Sequence, residues 1–267
     1  MPPAVVEPFT RAWRHRELIR AVARREFISR FRGSALGPAW AVIAPLMMML
    51  TYTTMFSVTV PQLSNGESVL DYAANILLGL IAFNFFSELA YRAPMLLHEH
   101  VNFVKKSIFP SETIAWTATI RGCTYGAIAF GVFIVFRLLT GGSLPWTLAL
   151  SPLIFAPFIL MVLGIVWFLM ALGAFTRDVA HVMASIVPIL MFATPIFYTI
   201  GQVPERYKWI FYLNPLAVYI EMLRDVALHG RVPNLFAYLA VAALSYAIFV
   251  FGYQFFMRYK SVIVDVI

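Results

Sequence analysis

Charged side chains are scarce in this 267-residue chain, which holds 13 acidic and 20 basic residues. They make up 12% of the sequence, whereas about a quarter of the residues in a soluble domain are charged. Hydrophobic residues reach 61%, and several uncharged runs exceed the ~20 helical residues needed to cross a ~30 Å hydrocarbon core. This composition excludes an ordinary soluble domain and predicts an all-α polytopic membrane protein.

The chain also lacks the residues of several common sites. Its single cysteine, Cys123, excludes an intrachain disulfide and a metal site built from several cysteines, so we interpret it as a packing residue. It contains neither a G-x-x-x-x-G-K-[ST] phosphate loop nor an H-E-x-x-H motif. His98, Glu99 and His100 are too few for a confident metal site and are interpreted as solvated loop residues. No catalytic constellation is visible, so the sequence predicts neither an enzyme nor a metal site.

Six apolar runs are present and are interpreted as transmembrane helices. Glycines and a proline at TGGSLPW, residues 140–146, separate the third run from the fourth. The predicted spans are residues 36–60, 72–91, 111–136, 147–174, 179–198 and 235–257.

Lysine and arginine predict the orientation, because basic loops remain in the cytoplasm. With the N-terminus inside, 14 basic residues fall on the inner side and five on the outer side, with Arg121 inside a span. Both termini are therefore predicted to be cytoplasmic. We divide the chain into a cytoplasmic segment (1–32), a transmembrane domain (33–260) and a cytoplasmic tail (261–267), and we expect no cleavable signal peptide.

Residues 1–32 are strongly basic and contain RHRELIRAVARREFISRFR without a clean apolar stripe. One interpretation is an amphipathic helix that lies at the cytoplasmic headgroups and meets anionic lipid. The alternative is a solvated segment that is basic only because it stays inside. Neither interpretation requires nucleic acid, despite the formal net charge of +7.

Residues 194–232, between the fifth and sixth predicted spans, are too apolar for a solvated loop. Pro195, Gly201, Pro204, Pro215 and Gly230 divide this region into short pieces. Irregular backbone at membrane depth persists only when protein or a watery cavity surrounds it. We therefore predict two short re-entrant helices on the periplasmic side. Their charged residues Glu221, Arg224 and Asp225 follow i, i+3, i+4 spacing, so they are able to pair on one helical face.

Arg121 is the one charge well inside a predicted span, about ten residues past its start and so ~15 Å deep. Intramembrane arginine faces a partner or a wet cavity, and two roles remain open: lining a polar path, or forming a structural ion pair. Glu88 is a candidate partner, although it lies nearer the cytoplasmic edge. The adjacent G-x-x-x-G from Gly122 to Gly126 is a weak indication of close helix packing.

Three segments resemble the permease subunits of type-2 ABC exporters. They are FRGSALGPAWAVIAPLMMMLTY, VNFVKKSIFPSETI and FATPIFYTIGQVPERYKWIFYLNPLAVYIEMLRDV, and they occur in the family's order. The first carries Leu-Gly, Trp and Pro-Leu, the second Asn, Val-Lys-Lys and Phe-Pro, and the third Val-Pro, Trp and Asn-Pro. The resemblance covers roughly residues 15–260 and looks closest to exporters of bacterial cell-surface polysaccharides, such as O-antigen, capsule or teichoic acid.

This resemblance implies a homodimer of the chain with two ATP-binding subunits, which would hold ATP and Mg. It implies a bacterial inner-membrane location, a lipid-linked glycan as cargo and a channel between the two copies. Residues 98–110 align with the coupling segment that contacts the ATPase. The candidate contacts are Val101, Asn102, Phe103, Val104, Lys105 and Lys106.

Aromatic rings stack on sugar faces, so rings in the spans and the re-entrant region are candidates for lining the channel, together with Arg121. They are Trp40, Tyr52, Phe56, Phe197, Tyr198, Trp209, Tyr212 and Tyr219. Trp and Tyr also gather in the interfacial belts of membrane proteins, which is an alternative explanation.

The cargo has an alternative as well, a drug or a small lipo-oligosaccharide. A membrane-embedded processing enzyme would need a polar catalytic pair, which the sequence does not show.

Overall fold

The computed structural model describes residues 6–59, 68–101 and 110–266. These residues form α-helices joined by short turns and 3-10 segments. The α-helices are α1 (Glu7–Arg14), α2 (Arg16–Ser29), α3 (Trp40–Thr59), α4 (Val69–Arg92), α5 (Leu96–Glu99), α6 (Thr113–Leu139), α7 (Ser151–Phe175), α8 (Asp178–Ala193), α9 (Glu205–Tyr212), α10 (Pro215–Arg224) and α11 (Leu235–Val266). The chain is therefore helical, as its sequence predicts.

Within the described residues, five helical stretches are long and apolar enough to cross a membrane. They are Gly37–Met55, Val69–Glu99, Thr113–Leu139, Trp146–Phe175 and Leu235–Ile263. These stretches correspond to five of the six predicted spans, although the second and the last extend beyond the predicted limits. Helix α11 continues through most of the predicted tail, to Val266.

The fifth predicted span, residues 179–198, forms a shorter apolar helix. Helix α8 has 16 residues, which gives ~24 Å at 1.5 Å per residue and falls short of a ~30 Å core. It ends at Thr194, whose backbone is extended, because Pro195 follows and disfavours the helical conformation of the preceding residue. Residues 194–199 then continue without helical structure.

Helix α4 is the centre of the bundle. Its first turn is capped by Ser68, whose Oγ accepts a hydrogen bond from the Asp71 backbone N–H at 3.1 Å. Most of the helix is buried, and it packs against α3, α6, α7, α8 and α10. The charged side chains that meet α4 therefore lie against the most constrained part of the fold.

Helices α7 and α11 form the most extensive helix pair, and glycine allows their close approach. A Cβ atom at Gly252 would lie 2.0 Å from the Gly164 carbonyl oxygen, and one at Gly164 would lie 2.5 Å from the Ile248 carbonyl oxygen. In the predicted Gly122–Gly126 motif, Gly122 faces the Phe85 ring, while a Cβ at Gly126 would meet no atom within 4 Å. The glycines that bring backbones together thus lie on helices other than the one that carries the motif.

The basic N-terminal segment forms two helices, α1 and α2, that meet at His15. Helix α2 packs along α6 through one face that includes the buried Ile19 and Ala23. Arg20 and Arg24 lie on its exposed side. The same arrangement places α1 beside α11, so both chain ends lie at one end of the bundle, which we call the termini end.

The region between α8 and α11 contains the two short helices expected from its sequence, α9 and α10. Asn214 caps α10, because its side-chain oxygen accepts from the Leu216 backbone N–H at 3.0 Å, and Pro215 occupies the first helical position. A π-helical turn, Asp225–His229, follows and ends at Gly230, whose φ of 66° is the left-handed conformation that glycine tolerates.

Candidate functional site

The described residues that flank the predicted coupling segment lie at the termini end, at the end of α5 and just before α6. Val101 is described and partly buried, whereas Asn102, Phe103, Val104, Lys105 and Lys106 lie outside the described residues. The residues that enter and leave the segment are described on both sides. Each side contains a carboxylate that several cations share, partly buried on the entrance side and buried on the exit side.

On the entrance side, Glu26 of α2 is the shared carboxylate. His100 Nε2 lies 2.9 Å from Glu26 Oε1, and Arg121 Nη1 and Arg92 Nη1 lie 3.3 and 3.8 Å from Glu26 Oε2. His100 Nδ1 lies 2.9 Å from the Leu96 carbonyl oxygen, so both ring nitrogens face acceptors. The hydrogen bond to Glu26 accordingly raises the pKa of His100 above its ordinary value. This network joins α2, the end of α4 and α6.

On the exit side, Glu112 is the shared carboxylate, and its side chain is only 3% exposed. Arg11 Nη1 lies 2.9 Å from Glu112 Oε1, and Lys260 Nζ lies 2.6 Å from Glu112 Oε2. Burial alone would raise the pKa of this carboxyl, but the Lys260 ammonium and the Arg11 guanidinium hold it below its ordinary value. The Glu112 carbonyl oxygen also accepts from Trp167 Nε1 at 3.1 Å. This second network joins α1, α7 and α11 to the start of α6.

Arg121 forms a buried ion-pair network. Its Nη2 lies 3.1 Å from Glu88 Oε1, so the partner considered from the sequence is within reach, and Glu26 supplies a second carboxylate. Arg30 Nη1 also pairs with Glu88 Oε1, at 2.8 Å. Because α6 begins at Thr113, Arg121 lies ~12 Å along the helix, slightly less deep than expected. Of the two roles left open, the geometry is that of a structural ion pair.

The histidine cluster at residues 98–100 does not assemble a metal site among the described residues. No group of three or more His, Cys, Asp or Glu side chains lies in a position to hold a metal ion in residues 6–59, 68–101 and 110–266. Glu99 instead forms a salt bridge with Arg92. The prediction that His100 is a solvated loop residue is wrong, because its side chain is only 11% exposed and pairs with Glu26.

At the opposite end of the bundle, Arg224 of α10 is buried, with a side chain that is 1% exposed. Its Nη2 donates to the Ile196 carbonyl oxygen at 2.7 Å and to the Asn75 carbonyl oxygen at 3.3 Å. Its Nη1 donates to the Tyr198 carbonyl oxygen and to Glu221 Oε1, both at 3.0 Å. The guanidinium thereby satisfies the backbone that α8 leaves irregular and fastens it to α4 and α10.

The predicted charge triplet in this region is only partly formed. Glu221 pairs with Arg224, whereas Asp225 lies 3.6 Å from His229 Nδ1. Glu221 and Asp225 both border a cavity of about 400 Å³ that is otherwise mostly apolar and that Tyr212 also lines. This cavity therefore combines an aromatic ring with two carboxylates.

Three of the candidate channel rings are exposed on this chain. Trp40, Trp209 and Tyr212 have exposed fractions of 43%, 59% and 64%. Trp40 also lines a cavity of about 430 Å³ between α3, α4 and α6, which Arg30 and Glu88 border. Among the candidate rings whose side chains are described, these three are the exposed ones.

The remaining candidate rings are covered to different degrees. Phe197 is buried and packs on the partly buried Tyr52, with 4.9 Å between ring centroids. Tyr219 is buried, with its hydroxyl 2.7 Å from Ser245 Oγ. Tyr198 is partly buried, and its hydroxyl donates to the Phe192 carbonyl oxygen at 2.9 Å. The side chain of Phe56 lies outside the described residues.

Sequence reasoning missed the roles of Glu26 and Glu112 and the burial of Arg224. Their partners lie far away along the chain, and no local spacing identifies them. The rarity of acidic residues was the available signal, because an acid in so apolar a chain is tolerated away from water only when a cation pairs with it.

Comparison with known proteins identifies related chains. The model of the ABC-2 type transporter family matches residues 17–228. The chain is 24% identical to an O-antigen export system permease protein, RfbA, of Klebsiella pneumoniae over 216 residues, which cover 80% of this chain and 81% of that protein. It is 21% identical to the protein of the same name of Myxococcus xanthus, with 87% and 88% covered. It is 24% identical to the polysialic acid transport protein KpsM of Escherichia coli, with 80% and 82% covered.

Proposed function

Because the chain belongs to the ABC-2 type transporter family, we propose that it is the permease of an ATP-driven exporter of a lipid-linked cell-surface polysaccharide. The observation that carries this proposal is similarity over four-fifths of the chain to proteins named for O-antigen export and polysialic acid transport. Both cargoes are polysaccharides, which favours a glycan over a drug. The membrane to be crossed is the bacterial inner membrane.

The working assembly contains two copies of the chain and two ATP-binding subunits, which hold ATP and Mg. The absence of a phosphate loop from the sequence supports the assignment of ATP to a partner. Helices α3 and α8 present exposed apolar side chains, including Met47, Leu50, Ile189 and Phe192. These faces suit a second copy of the chain, with the channel between the two copies.

In this topology, α8 and residues 194–198 together form the fifth of six spans. Helices α9 and α10 are re-entrant on the periplasmic side, and the termini end faces the cytoplasm. The exposed arginines of α2, such as Arg20 and Arg24, meet anionic headgroups, while its other face packs on α6.

ATP hydrolysis in the partner moves residues 98–110, and the spans rearrange in response. The buried ion pairs at Glu26 and Glu112 support this role, because they tie the two sides of the segment to the helices of the bundle. A displacement of the segment would therefore move helices that are packed in the bundle.

The coupling assignment is tested with a Phe103→Ala, Lys105→Ala double variant, co-expressed with the ATP-binding subunit and reconstituted. We expect ATP hydrolysis to persist while glycan export fails, with the melting temperature of the permease unchanged. His98→Ala, at the predicted solvated rim, is the matched control. Normal export by a double variant that still co-purifies with the ATPase would show that the coupling assignment is wrong.

The cargo is tested in cells that lack this chain. We expect surface polysaccharide to be lost and lipid-linked glycan to accumulate at the inner membrane. Trp209→Ala with Tyr212→Ala should reduce export, because both rings are open on the predicted periplasmic side. The control is Trp146→Ala, which removes another exposed ring near the same end. Unchanged surface glycan in the deletion strain, with loss of efflux of a small amphiphile, would point to the alternative cargo.

A further inference from the structure

Glu112 occupies a particular place in the chain, two residues after Pro110, where the backbone returns from the coupling segment into α6. Its carboxylate is the most enclosed of the acids that form ion pairs, with a side chain 3% exposed. Two cations from opposite ends of the sequence reach it, Arg11 from α1 and Lys260 from α11. One buried group therefore joins both termini of the protein to the exit of the segment.

The surroundings of Glu112 are arranged to hold this junction in place. Arg11 is itself oriented by Glu7, at 2.7 Å and one helical turn away. Trp167 donates to the Glu112 carbonyl oxygen, and its ring packs on Tyr253 with 5.0 Å between centroids. Phe9 docks α1 on Phe249 of α11, at 5.0 Å between centroids. Hydrogen bonds and ion pairs thus hold the backbone and the carboxylate of Glu112, and ring packing holds α1 against α11.

Among the described residues, α6 is common to both networks, whereas α1, α7 and α11 contribute side chains only to the Glu112 network. Glu26 connects α2, α4 and α6, whereas Glu112 connects α1, α7 and α11. Helices α7 and α11 pack backbone to backbone at Gly164 and Gly252, so they form one closely packed pair. A displacement of Glu112 would reach this pair of helices directly, through Lys260 and Trp167, without passing through α4.

We propose that Glu112 is a positioning residue, which transmits displacement of the coupling segment to the α7–α11 pair through Lys260 and to α1 through Arg11. The inference depends on the proposed function, because it assigns a path to the same coupling event. Because the Glu112 side chain is only 3% exposed, we expect its loss to change the yield of transport per ATP and to leave nucleotide binding unaffected.

The test uses the complex of permease and ATP-binding subunit in proteoliposomes, with Glu112→Gln and Glu112→Asp as the variants. Glutamine keeps the size and removes the charge, while aspartate keeps the charge. Glu17→Gln is the matched control, because it removes a charge from a glutamate whose side chain is 80% exposed. Three quantities are measured: the amount of co-purified ATPase, the KM for ATP and the glycan exported per ATP hydrolysed.

We expect Glu112→Gln to keep assembly and the KM for ATP and to lower export per ATP by about tenfold, within the usual range of coupling between sites. Glu112→Asp should retain most of the wild-type yield. Lys260→Gln, which removes one of the two cations, should lower the yield in the same direction. Lys260→Gln also tests the inference if Glu112→Gln does not fold.

Two results would overturn the inference while leaving the proposed function intact. One is a normal yield of export per ATP in both Glu112→Gln and Lys260→Gln. The other is a loss of activity that merely follows loss of assembled complex, with a normal yield in the complex that remains. Failure of the proposed function looks different, because the wild-type chain itself would then bind no ATPase or export no glycan.

Discussion

Adding one methyl group at Gly252 should drive α7 and α11 apart. In Gly252→Ala, the new Cβ would lie 2.0 Å from the Gly164 carbonyl oxygen and 2.9 Å from the Gly164 Cα. The atoms that it meets belong to backbone, so no side-chain rotation relieves the contact. An ordinary van der Waals contact begins at 3.4 Å, so the helices must separate locally by more than an ångström.

Overpacking of this kind costs roughly 1–3 kcal/mol, and backbone contact favours the upper part of that range. Replacing glycine by alanine inside a helix returns about 0.8–1.0 kcal/mol. The expected net loss is therefore ~1–2 kcal/mol in the free energy of unfolding. For a chain of this size, each kcal/mol corresponds to roughly 2–4 °C, so the melting temperature should fall by about 2–8 °C.

The assay is thermal unfolding of the purified chain in detergent, followed through tryptophan fluorescence. Gly131→Ala is the matched control, because a Cβ at Gly131 of α6 would meet no atom within 4 Å. It carries the same gain in helix propensity and should leave the melting temperature unchanged or raise it. Equal melting temperatures for Gly252→Ala and Gly131→Ala would refute the close packing of α7 on α11.

Three further variants test the buried charges by the same melting assay. Arg224→Met should cost about 3–5 kcal/mol, because it leaves the partly buried Glu221 carboxylate and buried carbonyl oxygens without their donor, whereas the exposed Arg206→Met should cost little; equal losses would contradict the burial of Arg224. Arg121→Met should also destabilise the fold, and adding Glu26→Gln should cost less in that background than in the wild-type chain, because both changes remove the same ion pair; additive losses would show that the two residues do not interact. Since the pKa of His100 is raised from 6.5, its charged ring stabilises the fold fully below that pH and ceases to do so as pH rises through the raised pKa. The difference in melting temperature between wild type and His100→Gln should therefore shrink with rising pH. A difference that grows with pH would show that the pKa of His100 is not raised in the fold.

Hydropathy and helix-breaking residues predicted the positions of most of the helices. Five of the six apolar runs form helices long enough to span a membrane. The short helices near Pro204 and Asn214 also appear where the sequence divides the region. These features depend on local properties, namely the polarity of consecutive residues and the missing N–H of proline, so a single sequence is enough to find them.

The close helix contacts were not predictable in the same way. The spacing of Gly122 and Gly126 lies within one helix and carries no information about which neighbour faces it. Gly164 and Gly252 lie 88 residues apart and form no motif, yet their backbones meet. The same limit applies to the rings: Tyr219 and Tyr212 are both aromatic residues of one short region, and tertiary packing alone buries the first and exposes the second.

The N-terminal segment shows that counting basic residues does not identify which of them form ion pairs with other helices. The positive-inside rule concerns location, so it treats all eight arginines of residues 1–32 alike. In the fold, Arg11 and Arg30 pair with carboxylates of other helices, whereas Arg20 and Arg24 lie on the exposed side of α2. Only the position of the acids distinguishes these groups, and the acids are few.

Scarcity of acids makes each buried one informative. A carboxylate in an apolar bundle is tolerated only with cations and hydrogen bonds around it, so its position marks a place where several helices must stay together. Glu26, Glu88 and Glu112 each pair with at least two cations, and all three lie toward the termini end, where the described flanks of the predicted coupling segment also lie. Separating helices joined through such pairs would leave a charge unpaired in a medium of low polarity, so the pairs hold these helices together. The path that we propose from the predicted coupling segment into the bundle therefore begins at these acids.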